Sequence, residues 1–310
     1  MIKRLALKKI IITSLSFLIL LIIYFFPTTE NYNINTTLTY SNPKTIPIYL
    51  VDNNNLVSRF EVIQKSKNSL ELVDEVINNL TIDNNSTSHI PNNFKKIIPK
   101  NTKIINKDLN DGLLKINFTK ELLNINKDNE EKMIESIIYS LTEIKDVKKI
   151  MIFVEGENLK ELPNSKKTLP LTLDRSYGIN KVYELESMKD ITKITTYYVS
   201  KIEGYSYFTP VTTITNTKNE KVEVIIEKLK TSPTYQTNLI SYLATSAELL
   251  DYEILENSVN LSFNNEVLSL EENKIIEEVK YSIALSIRDT YDINETIFYV
   301  DNMLIDVFFI

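Results

Sequence analysis

The sequence predicts an α+β protein in which an N-terminal transmembrane helix precedes two tandem β-α-β-β-α-β domains, each a small sheet with two helices packed on one face. Three observations lead to this prediction. A long apolar run follows a basic N-terminus, strand-like and helix-like apolar periods follow one another along the chain, and the same order of elements occurs twice, in residues 111–156 and 256–302. Two halves built alike favour a duplicated binding or assembly unit over a single catalytic pocket.

The first element is an apolar run over residues 10–26, preceded by four basic side chains within residues 1–9. At about 1.5 Å per residue, roughly 20 apolar positions are enough to cross a hydrocarbon core of about 30 Å. A cleaved signal peptide is the alternative, but the end of the run lacks the small-x-small pattern that a signal peptidase requires. We therefore predict an uncleaved single-pass anchor in the cell membrane, with a cytoplasmic N-terminus and extracytoplasmic domains. The anchor includes Ile10, Leu15, Leu18, Leu21 and Phe26.

An Asn- and Thr-rich tether over residues 27–43 leads to the first domain, predicted over residues 44–160. Its strands alternate apolar and polar side chains, and its helices repeat apolar side chains at helical spacing. The predicted elements are a strand over 46–51, a helix over 70–80, strands over 103–109 and 114–118, a helix around 133–141 and a strand over 150–154.

A linker over residues 161–190 separates this domain from the second, degenerate copy over residues 191–310. A separation of about 149 residues joins positions 48 and 197 and positions 80 and 229, as a duplication predicts. Apolar side chains that predict the last helix begin at Ile275 and recur to Ile287. Residues 238–250 fit helical spacing, but we assign a strand over 248–255.

Several motif residues occupy equivalent places in the two copies. Asp111 and Gly112 predict a hairpin turn, and Gly156 closes the last strand of the first copy. Phe118 and Phe263 end the central strands, and Glu121 and Glu266 follow them. A carboxylate at the same place in two separate units indicates a structural role near a turn rather than a catalytic pair.

Composition excludes several classes of function. The chain of 310 residues has no cysteine, one histidine and a net charge of −6. We therefore predict no metal site, no cofactor, no nucleic-acid partner and no enzymatic activity. The lone histidine, His89, lies in an Asn/Ser loop and is interpreted as solvated. The four glycines are too far apart for a phosphate-binding loop.

Two segments are candidates for interactions. The last strand is apolar on both faces, so we predict that it either pairs within the second domain or adds to a neighbour's sheet. This candidate interaction edge consists of Leu304, Ile305, Val307, Phe308 and Phe309. An aromatic cluster is interpreted as hairpin packing, with a sugar-stacking surface for peptidoglycan as the alternative. It consists of Tyr197, Tyr198, Tyr205, Tyr207 and Phe208.

The order of these features resembles the GerM family of endospore-forming bacteria, with tandem GerMN domains. The matching segments are residues 48–52, 98–102, 111–112, 118–122, 140–143 and 147–156, and Arg175 with residues 178–180. GerM proteins are often lipoproteins, whereas this chain has no cysteine, so the anchor differs. The second copy also lacks the Asp-Gly turn and has Asp301-Asn302 in place of Glu155-Gly156.

The resemblance implies a noncatalytic role in sporulation or germination, with domains similar to the ring-building motifs of secretion systems. The expected function is a membrane-anchored extracytoplasmic scaffold that acts through contacts with partner proteins or with itself. A peptidoglycan-binding module is the alternative, and a wall hydrolase that uses carboxylates is the third possibility.

Overall fold

A computed structural model of the chain describes residues 2–25, 44–83, 90–202, 204–233, 238–269 and 273–310. Phe26 and His89 lie outside these residues. The chain divides into two compact units, Met1–Asn42 and Pro43–Ile310.

The first unit contains helix α1 (Ile2–Phe25), in which Ile10, Leu15, Leu18 and Leu21 lie and the side chains of the three leucines are exposed. Within the described part of the chain, no helix combines the length and the apolar character that crossing a bilayer requires. The anchor stays a prediction from the sequence.

The unit Pro43–Ile310 is a mixed α+β structure. In its described residues the helices are α2 (Ser69–Leu80), α3 (Glu130–Leu141), α4 (Lys221–Leu229) and α5 (Glu277–Tyr291). The strands of its first half are β1 (Thr45–Asp52), β2 (Val57–Ile63), β3 (Phe94–Lys95), β4 (Ile104–Asn110), β5 (Leu113–Phe118), β6 (Lys149–Val154) and β7 (Glu157–Asn158). The remaining strands are β8 (Val182–Glu184), β9 (Ile191–Ile202), β10 (Tyr205–Asn216), β11 (Leu249–Ile254), β12 (Ser258–Phe263), β13 (Glu295–Val300) and β14 (Met303–Phe309).

Each half contributes a four-stranded sheet of the same design. The orders are β4-β5-β6-β7 and β11-β12-β13-β14, and in both the successive pairs are antiparallel, parallel and antiparallel. The parallel pair in each sheet is joined through a helix, α3 in the first half and α5 in the second, as a parallel connection requires. The segment 238–250, for which a helix was the alternative, contains no helix among its described residues and ends in β11.

The expectation of one sheet per domain is wrong for the first strand of each copy. β1 and β9 are each followed by a second strand, and the two hairpins join in one sheet of order β3-β1-β2-β10-β8, in which β9 also pairs with β10. Each half is therefore β-β-α-β-β-α-β-β, apart from the two short strands β3 and β8. The two hairpins meet where the outer edge of β2 pairs with β10. This pairing joins Arg59 to Phe208.

The helices α3 and α5 are buried much more completely than a single apolar stripe predicts. Met133, Ile134 and Ile137 are among the apolar residues that α3 buries, but Ser136 and Ser140 are fully buried as well. The physical reason is that α3 lies against β1 and also shares one hydrophobic core with the buried side chains of β5 and β6. α5 repeats this arrangement with β9 and begins at Glu277, so Ile275 and Ile276 precede it instead of opening it.

The segment 161–190 is packed against the rest of the unit. Leu162, Leu169, Leu173 and Ile179 are buried in the core of the first half. β8, in the same segment, pairs in parallel with residues 213–215 of β10. The segment therefore joins the two halves through contacts as well as through the chain.

Candidate functional site

Two tyrosines at equivalent positions of the two halves mark the place where those halves meet. Tyr49 in β1 and Tyr197 in β9 are both fully buried. The backbone N–H of Tyr49 donates to Oγ of Ser140 at 2.8 Å, and that of Tyr197 donates to Oγ of Ser286 at 3.0 Å. Each strand thus turns an unpaired edge toward a helix, and a serine of that helix satisfies the exposed N–H group.

The two tyrosine hydroxyl groups contact each other with an oxygen–oxygen distance of 3.0 Å. Each hydroxyl also donates to a carboxylate that lies three residues after the serine. Tyr49 donates to Oε1 of Glu143 at 2.9 Å, and Tyr197 donates to Oδ2 of Asp289 at 2.7 Å.

A second pair of equivalent residues meets in the shared sheet. Ser58 is opposite Leu50 in the first hairpin as Thr209 is opposite Tyr198 in the second. The hydroxyl oxygens of Ser58 and Thr209 lie 2.7 Å apart, and both side chains are buried. Contacts between equivalent residues are typical of an interface related by a twofold axis, so the halves pack like the subunits of a symmetric dimer.

Arg175, which lies in a short 3-10 helix of the joining segment, bridges the two carboxylates. Its Nη2 donates to Glu143 at 2.7 Å and its Nη1 donates to Asp289 at 2.5 Å. The guanidinium also lies 4.8 Å from the ring centroid of Tyr139. Its further acceptors are Oγ1 of Thr142, the carbonyl oxygen of Tyr139 and the hydroxyl of Tyr197.

Arg288 supplies a second positive charge to this cluster. Its Nη2 lies 2.8 Å from Glu143 and 3.6 Å from Asp289. Burial alone opposes ionisation of Glu143, but Arg288 and Arg175 outweigh it and hold the pKa of that carboxyl well below its usual range. Burial, reinforced by Glu143, raises the pKa of Tyr49 to about 12, so this phenol keeps its hydrogen at neutral pH.

We name Tyr49, Tyr197, Glu143, Asp289, Arg175 and Arg288 the junction cluster. Its four charged side chains line a cleft of about 890 Å³. The lining of the cleft also includes Arg59, Glu61, Lys145, Lys148 and Asp292. Each junction carboxylate contacts two guanidinium groups, so the chemistry that the cluster supports is ion pairing within the chain.

No group of three or more His, Cys, Asp or Glu side chains able to hold a metal ion occurs among the residues that the structure describes.

Arg175, which the family resemblance singled out, and Tyr197, from the aromatic cluster, belong to the junction cluster, whereas the motif residues shared by the two copies lie outside it. Asp111 and Gly112 form the turn between β4 and β5, with φ of 48° and 79°, the left-handed values that an Asp-Gly hairpin turn adopts. Gly156 lies in the turn after β6, where its N–H donates to Asn117 at 3.0 Å. Phe118 and Phe263 are fully buried core residues.

Glu121 and Glu266 both lie in short 3-10 helices that follow the central strands. A hydrogen bond from Thr119 lowers the pKa of Glu121, and Ser246 donates to Glu266 at 3.2 Å. The two carboxylates therefore contact local groups, each in its own half.

The candidate interaction edge, Leu304 to Phe309, lies in β14, which pairs with β13 along one side and, among the residues that the structure describes, has no strand on the other. In the aromatic cluster, Tyr197, Tyr198 and Tyr207 are buried, whereas Tyr205 is exposed. These rings therefore do not form one continuous exposed surface.

The sequence contains a signal for the junction cluster that we did not use. The number of residues between Tyr49 and Tyr197 is nearly the same as that between Ser140 and Ser286, and each serine lies among the apolar residues of its helix. A polar residue repeated at a core position of both copies marks a place where a buried partner is required. Arg175 has no counterpart in the repeat, so periodicity gives no signal for it.

Comparisons with known proteins relate this chain to proteins of sporulation and germination. Residues 47–160 match the family model "Germane: Sporulation and spore germination". The chain is 27% identical over 257 residues to the spore germination protein GerM of Bacillus subtilis (strain 168), covering 79% of this chain and 68% of that protein. The chain is similar to GerM over most of its length.

The fold of this GerM-like protein also matches a solved structure of the tandem GerMN domains of the B. subtilis sporulation protein GerM. The TM-score is 0.76 at 23% identity, and the match covers 84% of this chain and 92% of the other. The α+β architecture and the tandem GerMN domains expected from the sequence are thus confirmed.

Proposed function

We propose that this GerM-like protein is a non-enzymatic scaffold that works in sporulation or germination, anchored in the cell membrane by residues 10–26 with its tandem domains outside the cytoplasm. The relatives support a role in sporulation or germination, because the similar protein is named a spore germination protein and its solved domains are described as those of a sporulation protein. The basic residues before the apolar run support the orientation.

The junction cluster is the observation that carries the scaffold role. Its two carboxylates and two guanidinium groups contact one another, and the two hairpins share one sheet. Perturbed acids in a cleft are candidates for catalysis, but ion-pair networks perturb acids as well. Here the perturbing groups are the ion-pair partners themselves, which favours a rigid two-part body that presents surfaces to partners.

We propose that the contacts with partner proteins, or with further copies, involve β14 and its sheet. β14 is an edge strand that carries exposed apolar side chains, including Leu304 and Phe309. Exposed apolar surface on a sheet edge is typical of interaction sites.

Localisation during spore formation tests this proposal. A copy tagged after Ile310 is expected in the membrane fraction, with the tag open to protease added from outside, and deletion of the protein is expected to lower spore yield or germination. A tag that is protected from external protease, or a deletion that leaves both spore formation and germination unchanged, contradicts the proposal. Glu143→Gln is the control for catalysis. In a variant that is still located correctly, a scaffold is expected to retain its effect on spore yield or germination, whereas a hydrolase that uses this carboxylate is expected to lose it.

A further inference from the structure

The outward side of the β11–β14 sheet carries exposed apolar side chains. Val259, Leu261 and Phe263 of β12 are buried toward the helices, so the alternate residues Asn260 and Ser262 face outward. The residues of neighbouring strands that pair with these alternate positions face outward as well. By this register the outward apolar residues are Ile297, Tyr299, Leu304, Val307 and Phe309. We call this surface the acidic face, for the reason given next.

The charges on the acidic face have one sign. β11, β12, β13 and β14 contain no Lys or Arg, and Asp251, Glu253 and Glu295 occupy outward positions. The fourth acid of these strands, Asp306, pairs with the helix side of the sheet and contacts Lys280 at 2.8 Å. A partner for this face must therefore offer apolar side chains together with positive charges.

The large apolar side chains of the acidic face are well exposed. Phe309 is 67% exposed, Leu304 58% and Val307 37%. Contiguous exposed apolar surface flanked by charges is typical of a protein–protein contact.

The free edge of β14 is a weaker candidate for the contact than the face. Its pairing with β13 contains a bulge, and Asp306 is a charged residue turned inward on an edge strand. Both features are devices by which natural edge strands avoid pairing with another chain. The contact is therefore expected through side chains on the face of the sheet rather than through a new strand.

The equivalent surface of the first half has the complementary charge. In the β4–β7 sheet, Met151 and Phe153 face outward at the positions equivalent to Ile297 and Tyr299, and Lys115 pairs directly with Met151. Lys115 and Lys149 are exposed there, and the acid at these outward positions is Asp108. We call this surface the basic face.

We propose that the acidic face of one copy binds the basic face of a second copy, head to tail. This inference rests on the proposed scaffold function and names its partner as the chain itself. Because the two faces are different surfaces, the contact leaves a free acidic face on one copy and a free basic face on the other. Such heterologous contacts continue into rings or filaments instead of closing as a dimer.

The size of the faces predicts a weak single contact. In the β11–β14 sheet, four strands about 4.8 Å apart and about six residues long give a face of roughly 19 by 20 Å, and the basic face is smaller because β7 spans only Glu157–Asn158. This footprint is below the ~800 Å² per partner of a standard stable interface. Assembly is therefore expected where copies are concentrated, as they are when they share one membrane.

Cysteine cross-linking tests the contact in the full chain, which has no cysteine of its own. Lys115→Cys and Glu253→Cys are both at exposed positions, so neither substitution disturbs a core. In membranes treated with a short bismaleimide, the double variant is expected to form a ladder of dimers, trimers and larger species. A mixture of the two single variants is expected to stop at the dimer, and Asn78→Cys, exposed on α2, is the control that forms neither.

Two results overturn the inference. One is the absence of cross-links in the double variant beyond the level of Asn78→Cys. The other is a dimer formed by Glu253→Cys alone, which indicates that like faces meet.

Charge reversal provides a second measurement. Lys149→Glu in the protein with Lys115→Cys and Glu253→Cys is expected to reduce the ladder about tenfold. Mixing Lys115→Cys plus Lys149→Glu with Glu253→Cys plus Asp251→Lys and Glu295→Lys is expected to restore cross-linking between the two species, because both faces then carry the opposite charge. A ladder unaffected by reversal contradicts the role of these charges. If no ladder forms but the protein is still located at the membrane and required for spore formation, the inference of self-assembly is wrong, whereas the proposed scaffold function is retained.

Discussion

The hydroxyl oxygens of Tyr49 and Tyr197 lie 3.0 Å apart, although the two residues are 148 positions apart in the chain. They occupy the same place in two copies of one unit, so the contact lies where the copies meet. Each phenol has one hydrogen, and each also reaches a carboxylate. Tyr49 and Tyr197 thus connect the first strand of each half to the carboxylate of that half and to the tyrosine of the other half.

We expect Tyr49→Phe and Tyr197→Phe to be energetically coupled. Each single substitution removes a buried hydrogen bond to a carboxylate and is expected to lower the free energy of unfolding by about 1–3 kcal/mol. Both substitutions also remove the same hydroxyl–hydroxyl contact, so the loss in the double variant is expected to differ from the sum of the two single losses by roughly 0.5–1 kcal/mol. Urea unfolding of the four proteins measures this difference.

Tyr177→Phe is the control for the removal of a buried hydroxyl. The Tyr177 hydroxyl is buried without a hydrogen-bond partner, so its loss is expected to be neutral or stabilising. Strict additivity of Tyr49→Phe and Tyr197→Phe contradicts the direct contact.

Replacement of Arg175 is expected to be the most damaging single change in the junction cluster. Arg175→Met leaves Glu143 and Asp289 with less positive charge in a buried site, and breaking a buried pair in this way costs about 3–5 kcal/mol. The measurement is the urea midpoint. Lys166→Met is the control, because its pair with Glu161 is largely exposed and contributes at most about 1 kcal/mol.

The junction cluster also predicts the response to acid. The pKa of Glu143 is lower in the folded chain than in the unfolded chain, so unfolding binds a proton below the unfolded value of about 4.3. This contribution to stability is complete above that pH and falls by up to about 1.4 kcal/mol per pH unit below it. Glu143→Gln cannot titrate there, so the stability difference between wild type and this variant is expected to shrink from pH 6 to pH 3. A difference independent of pH contradicts this account.

The sequence predicted the repeated β-α-β core of each half because those elements have one clear period. Val259, Leu261 and Phe263 alternate with polar residues, and the structure places all three in the core. β2 was missed because Ser58 and Arg59 interrupt its pattern. They are polar since that part of β2 faces the other half, so the contact between the halves conceals the strand that makes it.

Local sequence patterns did not predict the contacts of the junction cluster for a different reason. Arg175 lies in a segment with several turn residues, and its partners Glu143 and Asp289 are 32 and 114 positions away. Periodicity reports which side of an element is buried, but not which distant polar group it meets there. Only the repeat itself, with a serine inside each buried helix, carries that information.

Ser140 and Ser286 give a prediction that uses the repeat directly. Each accepts the backbone N–H of a tyrosine on the edge of a strand, so replacement by alanine leaves a buried donor unsatisfied. Ser140→Ala and Ser286→Ala are each expected to lower the free energy of unfolding by about 1–3 kcal/mol, and by similar amounts, because the environments are equivalent. Ser136→Ala is the matched control: this serine is buried one turn earlier in the same helix, but its hydroxyl has no partner, so its loss is expected to be neutral or stabilising. Equal effects of Ser136→Ala and Ser140→Ala in urea unfolding contradict the view that these serines cover the strand edges, and with it the equivalence of the two contacts.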